Sequence, residues 1–583
     1  MNSFLKTFLA CFLAVLLFSI MSFFIFLGYV MGLAAKPKER TGAKAVLVVD
    51  LAHPYSEIML QNPLAGFGED QYDIPSLYDV VRMIRHAKAD SAVKGIYLKC
   101  GVNMNAFGSS EEIRNALIDF KSAGKFVYAY ADIIPQNAYH IANVATKIYC
   151  NPQGGVDWRG YSIRLFFMKN MLDRLDIEPQ IFYAGKFKSA TEPFREEKMT
   201  EPNRVQTSEL LNDLYAHFLV QTAAARNIDT ATLHRYANEN SIQFAPDALK
   251  AGLVDGLKYD DEVKEEIKNL IKVDRIDRIN FVPLGKYANA VNFKKTGKEK
   301  IAVIYAQGDI IDGKGDQDVI GSETYRNLVR RARLDNTVKA IVIRINSGGG
   351  SAMASENIWR ELKLARKDKP VVISFGDVSA SGGYYLSCNA DSIFAQPNTI
   401  TGSIGVFALL PNMQDFFKNK LGVTFDGVKT SPDADALSIT KPLSESQKRY
   451  FQREVDSIYH VFMSRVAEGR KKPIEYIDSI GQGRIWSGNR ALELGLVDRI
   501  GGLQDAIECA ARMANVKDYR LREYPDPKSV FDLIFGGYSQ NAKRSAIKEE
   551  LGEDGMKTYN TIRRVKKMLG ITQARMPFDF TIE

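Results

Sequence analysis

The sequence predicts an α/β protein made of two tandem copies of one domain behind a membrane-spanning helix. Three observations predict it: an uncharged apolar segment near the N-terminus, short apolar runs that alternate with helical patterns, and recurrence of that pattern at a nearly constant spacing. The chain has 583 residues, whereas single domains usually have about 100–200. Apolar and charged fractions of 45% and 25% are those of a globular protein.

Charge and cysteine usage exclude several classes of function. The net charge of +8 comes from 77 basic and 69 acidic side chains that are scattered along the chain, so we expect no nucleic-acid partner. The five cysteines form no C-x-x-C pair and the six histidines form no H-E-x-x-H motif. The sequence therefore predicts neither a disulfide framework nor a metal site, and no motif calls for a cofactor.

The N-terminal segment from residue 8 to residue 35 carries no charge and is dominated by large apolar side chains. A helix needs about 20 apolar residues to cross a bilayer, so this segment can span one. A cleaved signal peptide is the alternative, because Gly32, Ala34 and Ala35 are small. The apolar region of a signal peptide is only about 7–15 residues long, which favours an uncleaved anchor.

The rest of the chain repeats itself. Three pairs of segments match in the same order, at offsets of 245, 245 and 243 residues: 93–99 with 338–344, 147–149 with 392–394, and 251–256 with 494–499. A shared order at a nearly constant offset indicates a tandem duplication.

Each copy alternates predicted strands with predicted helices. In the second copy, residues 301–305, 340–345 and 371–375 are Val- and Ile-rich runs of the kind found in buried strands. Residues 355–366 place their apolar side chains on one face of a helix. Strands that alternate with helices predict βαβ crossovers and parallel sheets.

These patterns divide the chain into seven segments. They are a cytoplasmic N-terminus (1–7), the transmembrane anchor (8–35), a linker (36–44), the first copy (45–285), a basic inter-copy linker (286–300), the second copy (301–517) and a C-terminal appendage (518–583).

Ser381 follows a predicted strand and a turn of small residues, and an apolar helix is predicted from about Gly382. A serine at a helix N-terminus lies beside free N–H groups that stabilise developing negative charge. It can equally be an ordinary N-cap, which is the commonest role of serine at this position. This segment alone leaves both interpretations open.

Two further segments complete the set of candidates. Residues 344–351 read RINSGGGS, a strand that ends in three glycines whose N–H groups can bind an oxyanion. They form no phosphate-binding P-loop, because no G-K-[ST] follows. Residues 181–193 read IFYAGKFKSATEP and contain Lys186 and Lys188, which on composition alone are surface charges.

Together these segments resemble the signal peptide peptidase A (protease IV) family, peptidase family S49, in its long two-copy form. The resemblance extends over nearly the whole chain. It is carried by NS-GGS at 346–351, ASGGY at 380–384, TGSIGV at 401–406, GKFKSA at 185–190, RIWSG at 484–488, GLVD at 495–498 and QARMP at 573–577. It implies a ClpP/crotonase-like fold of β-α superhelical units and a ring-like homo-oligomer, which we expect to be a tetramer.

The resemblance also implies the roles of individual residues. It makes Ser381 the nucleophile and Lys188 the general base, with the Ser403 hydroxyl orienting the lysine amine. It makes the backbone N–H groups of Gly349 and Gly382 the oxyanion donors. Family members usually carry proline where this chain has Gly348, a change that loosens the loop without removing a donor.

The chemistry agrees with these roles. A serine hydroxyl needs a base to become nucleophilic, and no histidine lies near the motifs. A lysine serves only when it is neutral, which requires an apolar site that lowers its pKa of about 10.4. Lys186 and Lys429 are the alternative bases.

Each copy carries one half of the pair. At the 245-residue offset Ser381 corresponds to Gln136, and the counterpart of residues 185–189 is 427–431, which puts Thr430 opposite Lys188. The two residues can therefore meet only if the copies pack face to face.

The sequence thus predicts a membrane-anchored serine endopeptidase that degrades signal peptide remnants and other apolar peptides. The alternatives are a crotonase-like acyl-CoA enzyme and a non-catalytic membrane scaffold. The resemblance implies a single-pass protein of the bacterial inner membrane with its body on the periplasmic side. The flanking charges predict the opposite orientation, because only Lys6 precedes the anchor and four basic residues follow it within 36–44.

Overall fold

The computed structural model describes residues 3–34, 39–59, 72–316, 318–526 and 571–576. Residues 35–38 of the predicted anchor and linker lie outside the described residues, as do 527–570 and 577–583 of the predicted appendage. Helix α1 (Ser3–Ala34) comes first. Its segment Lys6–Ile25 is long and apolar enough to cross a membrane, and none of that segment is buried against the rest of the protein.

The first copy is a six-stranded parallel sheet covered by helices. Its strands are β1 (Ala45–Asp50), β2 (Val93–Lys99), β3 (Phe126–Ile134), β4 (Lys147–Val156), β6 (Gly256–Leu257) and β7 (Asn280–Pro283), with β5 (Glu178–Ala184) outside this sheet. Its helices are α2 (Leu77–Ala89), α3 (Phe107–Lys121), α4 (Gln136–Ala142), α5 (Lys169–Arg174), α6 (Glu192–Arg195), α7 (Glu201–Arg226), α8 (Thr230–Asn238), α9 (Ala245–Lys250), α10 (Asp260–Ile271) and α11 (Leu284–Ala290).

The second copy repeats this arrangement. Its strands are β8 (Glu299–Gln307), β9 (Asp309–Ile311), β10 (Val319–Gly321), β11 (Val338–Ser347), β12 (Gly349–Ser351), β13 (Val371–Ala380), β14 (Ser392–Ala395), β15 (Ile400–Gly402), β16 (Val406–Asn412), β17 (Ile485–Ser487), β18 (Arg499–Ile500), β19 (Tyr519–Tyr524) and β20 (Gln573–Arg575). Its helices are α12 (Ser322–Leu334), α13 (Ala352–Asp368), α14 (Gly382–Ser387), α15 (Glu445–Arg470), α16 (Ile474–Ile480), α17 (Gly488–Glu493) and α18 (Leu503–Met513).

The order of the strands confirms the duplication. The first sheet runs β6-β4-β3-β2-β1-β7, and the second contains the matching path β18-β14-β13-β11-β8-β19. All pairs along both paths are parallel. The predicted strands 301–305, 340–345 and 371–375 lie within β8, β11 and β13, and the predicted helix 355–366 lies within α13. Each observed element extends beyond the apolar run on which its prediction rested.

A third sheet joins the copies. Its order is β10-β9-β12-β20-β16-β5, so one strand of the first copy, β5, is an edge of a sheet built otherwise from later strands. Strands β5 and β16 are antiparallel over seven residue pairs, from Val406 opposite Ala184 to Asn412 opposite Glu178. This pairing carries the segment after β5, which contains Lys188, onto the second copy.

A buried ion cluster also joins the copies. The guanidinium of Arg344, from the second copy, contacts carboxylates of Glu57 at 2.9 Å and Glu112 at 2.6 Å, both from the first copy. None of the three side chains is exposed by more than 5%. Burial raises the pKa of Glu57 to about 7, against the opposing charge of Arg344. Buried clusters of this kind are costly to break.

The predicted domain boundaries shift in two places. The linker predicted at 286–300 overlaps α11, in which Tyr287 is fully buried, and its last residues begin β8. The appendage predicted from residue 518 begins with β19, which pairs in parallel with β8 and is the counterpart of β7. The second sheet therefore continues to Tyr524, because β19 completes its edge in the way that β7 completes the edge of the first sheet.

Candidate active site

Ser381 lies in a sharp turn between β13, which ends at Ala380, and α14, which begins at Gly382. Its backbone φ is 54° and ψ is −112°, a conformation that costs a non-glycine residue about 1–3 kcal/mol. The N–H of Ser381 donates to the Gly402 carbonyl at 2.8 Å, which fixes the turn against β15. The surrounding sheet therefore holds the hydroxyl in a strained, defined position.

The structure brings Lys188 to this hydroxyl. Lys188 Nζ lies 2.9 Å from Ser381 Oγ, 3.0 Å from Ser403 Oγ and 3.3 Å from the Ser403 carbonyl. A neutral amine has two N–H donors and one lone pair. It can therefore donate to both oxygens of Ser403 and accept the Ser381 proton, which satisfies all three contacts.

Burial controls the charge of this amine. Lys188 is 1% exposed and both serines are fully buried. Removal from water lowers the pKa of Lys188 well below its usual value, because the charged form loses its hydration. Among the described residues, no carboxylate forms an ion pair with Lys188 that would counteract this effect. The site thus favours a neutral lysine, the form that can act as a base.

Close backbone packing positions Lys188. Gly483 has a φ of 80°, and a Cβ atom on it would lie 2.7 Å from the Lys188 backbone, so only glycine fits there. From α7, the Gln206 side chain donates to the Phe187 carbonyl at 2.9 Å and to Ser189 Oγ at 2.8 Å. Sequence reasoning missed both Gly483 and Gln206. Neither lies in a recognisable motif, because Gln206 acts through a segment about 20 residues away and Gly483 through a contact between the two copies.

The two glycines predicted as oxyanion donors are neighbours. A Cβ atom on Gly349, whose φ is 100°, would lie 2.7 Å from the backbone nitrogen of Gly382. The Gly349 N–H donates to Ser347 Oγ at 3.1 Å, and that hydroxyl donates to the Gly308 carbonyl at 2.6 Å. To bind an oxyanion, the Gly349 N–H must therefore leave Ser347 Oγ or donate to both oxygens at once.

Strand β20 covers the site. It pairs antiparallel with β12, with Gly350 opposite Ala574, and contacts β16 on its other side. The Met576 N–H donates to the Gly348 carbonyl at 2.6 Å. The Met576 side chain packs among apolar residues that include Ala380, Ile400 and Ile485. An extended segment of this chain thus runs beside Ser381 in the geometry of an added β-strand.

The structure places the other predicted candidates away from this centre. Lys186 and Lys429 are exposed, and Lys429 Nζ contacts the Pro432 carbonyl and Asp435. In the first copy, Gln136 is the first residue of α4, close to the position that Ser381 has before α14. The side-chain oxygen of Gln136 accepts hydrogen bonds from the N–H groups of Arg159 and Gly160. Thr430 lies in an exposed segment.

Comparisons with known proteins show the family to which this chain belongs. The sequence profile of peptidase family S49 matches twice, at residues 119–274 and 363–517. Protease 4 of Salmonella typhi is 35% identical over 520 residues, which are 86% of this chain and 83% of that protein. Protease 4 of Haemophilus influenzae is 32% identical, over 81% of this chain and 80% of that protein.

Two more distant matches come from a plant and from a solved structure. The chloroplastic serine protease SPPA of Arabidopsis thaliana is 30% identical, over 77% of this chain and 68% of that protein. A ClpP1 mutant of Listeria monocytogenes superposes with a TM-score of 0.24 at 18% identity, over 35% of this chain and 94% of that one. With two matching domains and relatives aligned over most of its length, this chain belongs to peptidase family S49 and is a serine peptidase.

Proposed function

We propose that the chain is a membrane-anchored endopeptidase in which Ser381 attacks the peptide bond and Lys188 acts as the general base. The observation that carries this proposal is the 2.9 Å contact between Lys188 Nζ and Ser381 Oγ inside a buried site. A crotonase-like enzyme and a scaffold need no such pair, so the contact favours peptide hydrolysis over both.

The reaction begins when neutral Lys188 takes the Ser381 proton as Oγ attacks the substrate carbonyl carbon. The N–H groups of Gly349 and Gly382 stabilise the resulting oxyanion. The ammonium of Lys188 then protonates the leaving amine, which leaves an acyl-enzyme on Ser381. Lys188 next deprotonates a water molecule, which attacks the ester and releases Ser381. Ser403 supports the amine in both protonation states, because its two oxygens accept N–H bonds from either.

The substrate binds as an extended strand in the place that β20 occupies. Backbone pairing with β12 and β16 supplies contacts that do not depend on sequence, and the cluster around Met576 supplies an apolar pocket beside Ser381. Peptides with apolar side chains fit this pocket. Signal peptide remnants belong to that class, and the apolar helix α1 would hold the site close to the bilayer where they remain.

The proposal includes a location and an assembly. We place α1 in a bacterial inner membrane as a single anchor, with the body on the periplasmic side and four chains in a ring. The bacterial Protease 4 relatives and the apolar helix support the anchored part of this proposal. Protease accessibility of the body in spheroplasts tests the orientation, and mass photometry of the detergent-solubilised chain tests the number of subunits.

Hydrolysis of an apolar fluorogenic peptide by the full-length chain in detergent tests the catalytic pair. We expect Ser381→Ala to abolish turnover and Lys188→Ala to lower it about 100- to 10,000-fold or more. Lys186→Ala is the matched control, since this lysine is two residues away and exposed, and it should retain turnover. Turnover in Lys188→Ala that stays within about tenfold of wild type would show that another group is the base. A folded wild-type chain that hydrolyses no apolar peptide would support the scaffold.

A further inference from the structure

Three side chains meet inside the first copy, away from Ser381. They are Glu111 on α3, His140 on α4 and His217 on α7. Glu111 Oε2 lies 2.8 Å from His140 Nε2 and 3.0 Å from His217 Nε2. All three ligand atoms lie within 4.8 Å of one another. The three residues are widely separated in sequence, so no local motif indicates that they lie together.

The second copy shows what this cluster lacks. At the 245-residue offset Glu111 corresponds to Glu356 and His140 to Tyr385. Glu356 accepts from the Tyr385 hydroxyl at 2.7 Å and forms an ion pair with Arg465 at 2.8 Å. A permanent cation therefore balances the carboxylate in the second copy. Glu111 has only two imidazoles as ion-pair partners among the described residues.

A buried carboxylate needs a positive charge close by, because its own hydration is lost. The side chains of Glu111 and His140 are each 3% exposed and that of His217 is 9% exposed. Neutral imidazole is the form that binds metal ions. Arg114 is close enough to influence Glu111, but its guanidinium donates to Asn143 and to the Gln221 carbonyl. A cation in direct contact with Glu111 would therefore come from outside the chain.

We propose that Glu111, His140 and His217 bind one divalent transition-metal ion, with Zn²⁺ the best match. Two imidazoles and one carboxylate form a common zinc ligand set. Donors about 2.0–2.1 Å from a tetrahedral ion lie about 3.3 Å apart. The observed separations of 2.8 and 3.0 Å need to open by only a few tenths of an ångström. Cobalt and nickel suit the same donors.

A fourth donor comes from the second copy. Asn398 is 2% exposed, its Nδ2 lies 3.4 Å from Glu111 Oε2, and its Oδ1 is buried without a hydrogen-bond partner. A half-turn of the amide exchanges these two atoms. It places Oδ1 beside the three donors, where a metal ion would satisfy it.

The ion would connect the two copies near the catalytic pair. Asn398 precedes β15, which ends at Gly402, and Ser403 follows directly. A metal bound by Glu111, His140, His217 and Asn398 therefore fixes the strand that leads to Ser403 against three helices of the first copy. The role is structural, because the site is closed and is separate from Ser381 and Lys188.

Metal content of the full-length chain tests this proposal. The chain, without a polyhistidine tag, is dialysed against ZnCl₂ in detergent, passed through a desalting column and measured by inductively coupled plasma mass spectrometry. We expect about one Zn²⁺ per chain, and loss of most of it in Glu111→Gln and His217→Gln. His460→Gln is the matched control, because His460 is exposed, and Ser381→Ala is a second one. Both should keep the ion.

A spectroscopic readout separates metal binding from misfolding. Co²⁺ bound to wild type should give the visible absorption bands of a tetrahedral site, and one equivalent of Zn²⁺ should remove them. The variants should keep the wild-type circular dichroism spectrum while losing the bands. Wild type that retains no metal, or Glu111→Gln that retains as much as His460→Gln, would overturn the proposal. The cluster would then be a hydrogen-bonded carboxylate that shares a proton with its histidines.

Discussion

The hydroxyl of Ser403 gives the most discriminating test of the proposed mechanism. Lys188 Nζ contacts three oxygens, and Ser403→Ala removes only one of them, the hydroxyl at 3.0 Å. The contacts with Ser381 Oγ at 2.9 Å and with the Ser403 carbonyl at 3.3 Å involve atoms that the substitution keeps. The change thus weakens the support of the amine without removing the base or the nucleophile.

The size of the effect follows from the charge that Lys188 acquires during the reaction. A hydrogen bond to a charged group contributes about 1.5–3 kcal/mol. Because about 1.4 kcal/mol corresponds to a tenfold change in rate, we expect kcat to fall roughly 10- to 150-fold. The value of KM should change little, since the hydroxyl contacts Lys188 and lies behind the substrate. Loss of the base itself should cost about 100- to 10,000-fold or more.

The pH profile supplies a second readout that a merely structural role would not move. An acceptor that is lost no longer stabilises the ammonium form, so the pKa of Lys188 should fall further below its usual range. The acid limb of kcat/KM should therefore move to lower pH in Ser403→Ala, while the plateau falls. The assay is hydrolysis of the fluorogenic peptide between pH 5 and pH 10, with the exposed Ser479→Ala as control.

Two results would refute this reasoning. A loss of less than twofold in kcat would mean that the hydroxyl does not support the amine during the reaction. An acid limb that moves to higher pH would mean that Ser403 destabilises the ammonium form, the reverse of the role proposed here.

Three further predictions follow from the same structure. In wild type, kcat/KM should rise with pH through a pKa well below the usual lysine value and then level off, because only neutral Lys188 is a base and burial favours that form. A rise in kcat/KM near the usual lysine pKa would exclude a buried, neutral Lys188 as the base. Removal of residues 571–583 should lower KM for peptides severalfold, because β20 no longer competes with the substrate for pairing with β12. An unchanged KM in steady-state kinetics would mean that β20 does not occupy the substrate position. Arg344→Met should lower the free energy of unfolding by about 3–5 kcal/mol, since it leaves buried carboxylates without a partner; calorimetry measures this, with the exposed Arg275→Met as control.

Some elements could be predicted because their signals are local. The apolar runs at 301–305, 340–345 and 371–375 predicted β8, β11 and β13, and the duplication predicted that both copies share one topology. The family motifs predicted Ser381, Lys188 and Ser403 as site residues, and the structure brings both serine hydroxyls within 3.0 Å of Lys188 Nζ. Strands of this kind are readable because a buried parallel strand is apolar along its whole length.

Other features could not be predicted, because they depend on contacts between distant segments. Nothing near Gln206 or Gly483 indicates that they hold Lys188. From its charged sequence, β19 was predicted to be part of an appendage, yet it pairs in parallel with the edge of β8. The three-residue strand β20 has too few apolar positions to be recognised from sequence, and only its pairing with β12 and β16 defines it.

By itself, the sequence determined the duplicated α/β body, the apolar N-terminal segment and the residue types of the proposed catalytic pair, because periodicity and motifs are properties of neighbouring residues. Only the tertiary structure decided that Lys188 is buried against Ser381, that β20 covers both, and that Glu111, His140 and His217 converge. The physical reason is that burial and long-range contact set the pKa of an amine and the charge balance of a carboxylate, and both depend on how the two copies pack.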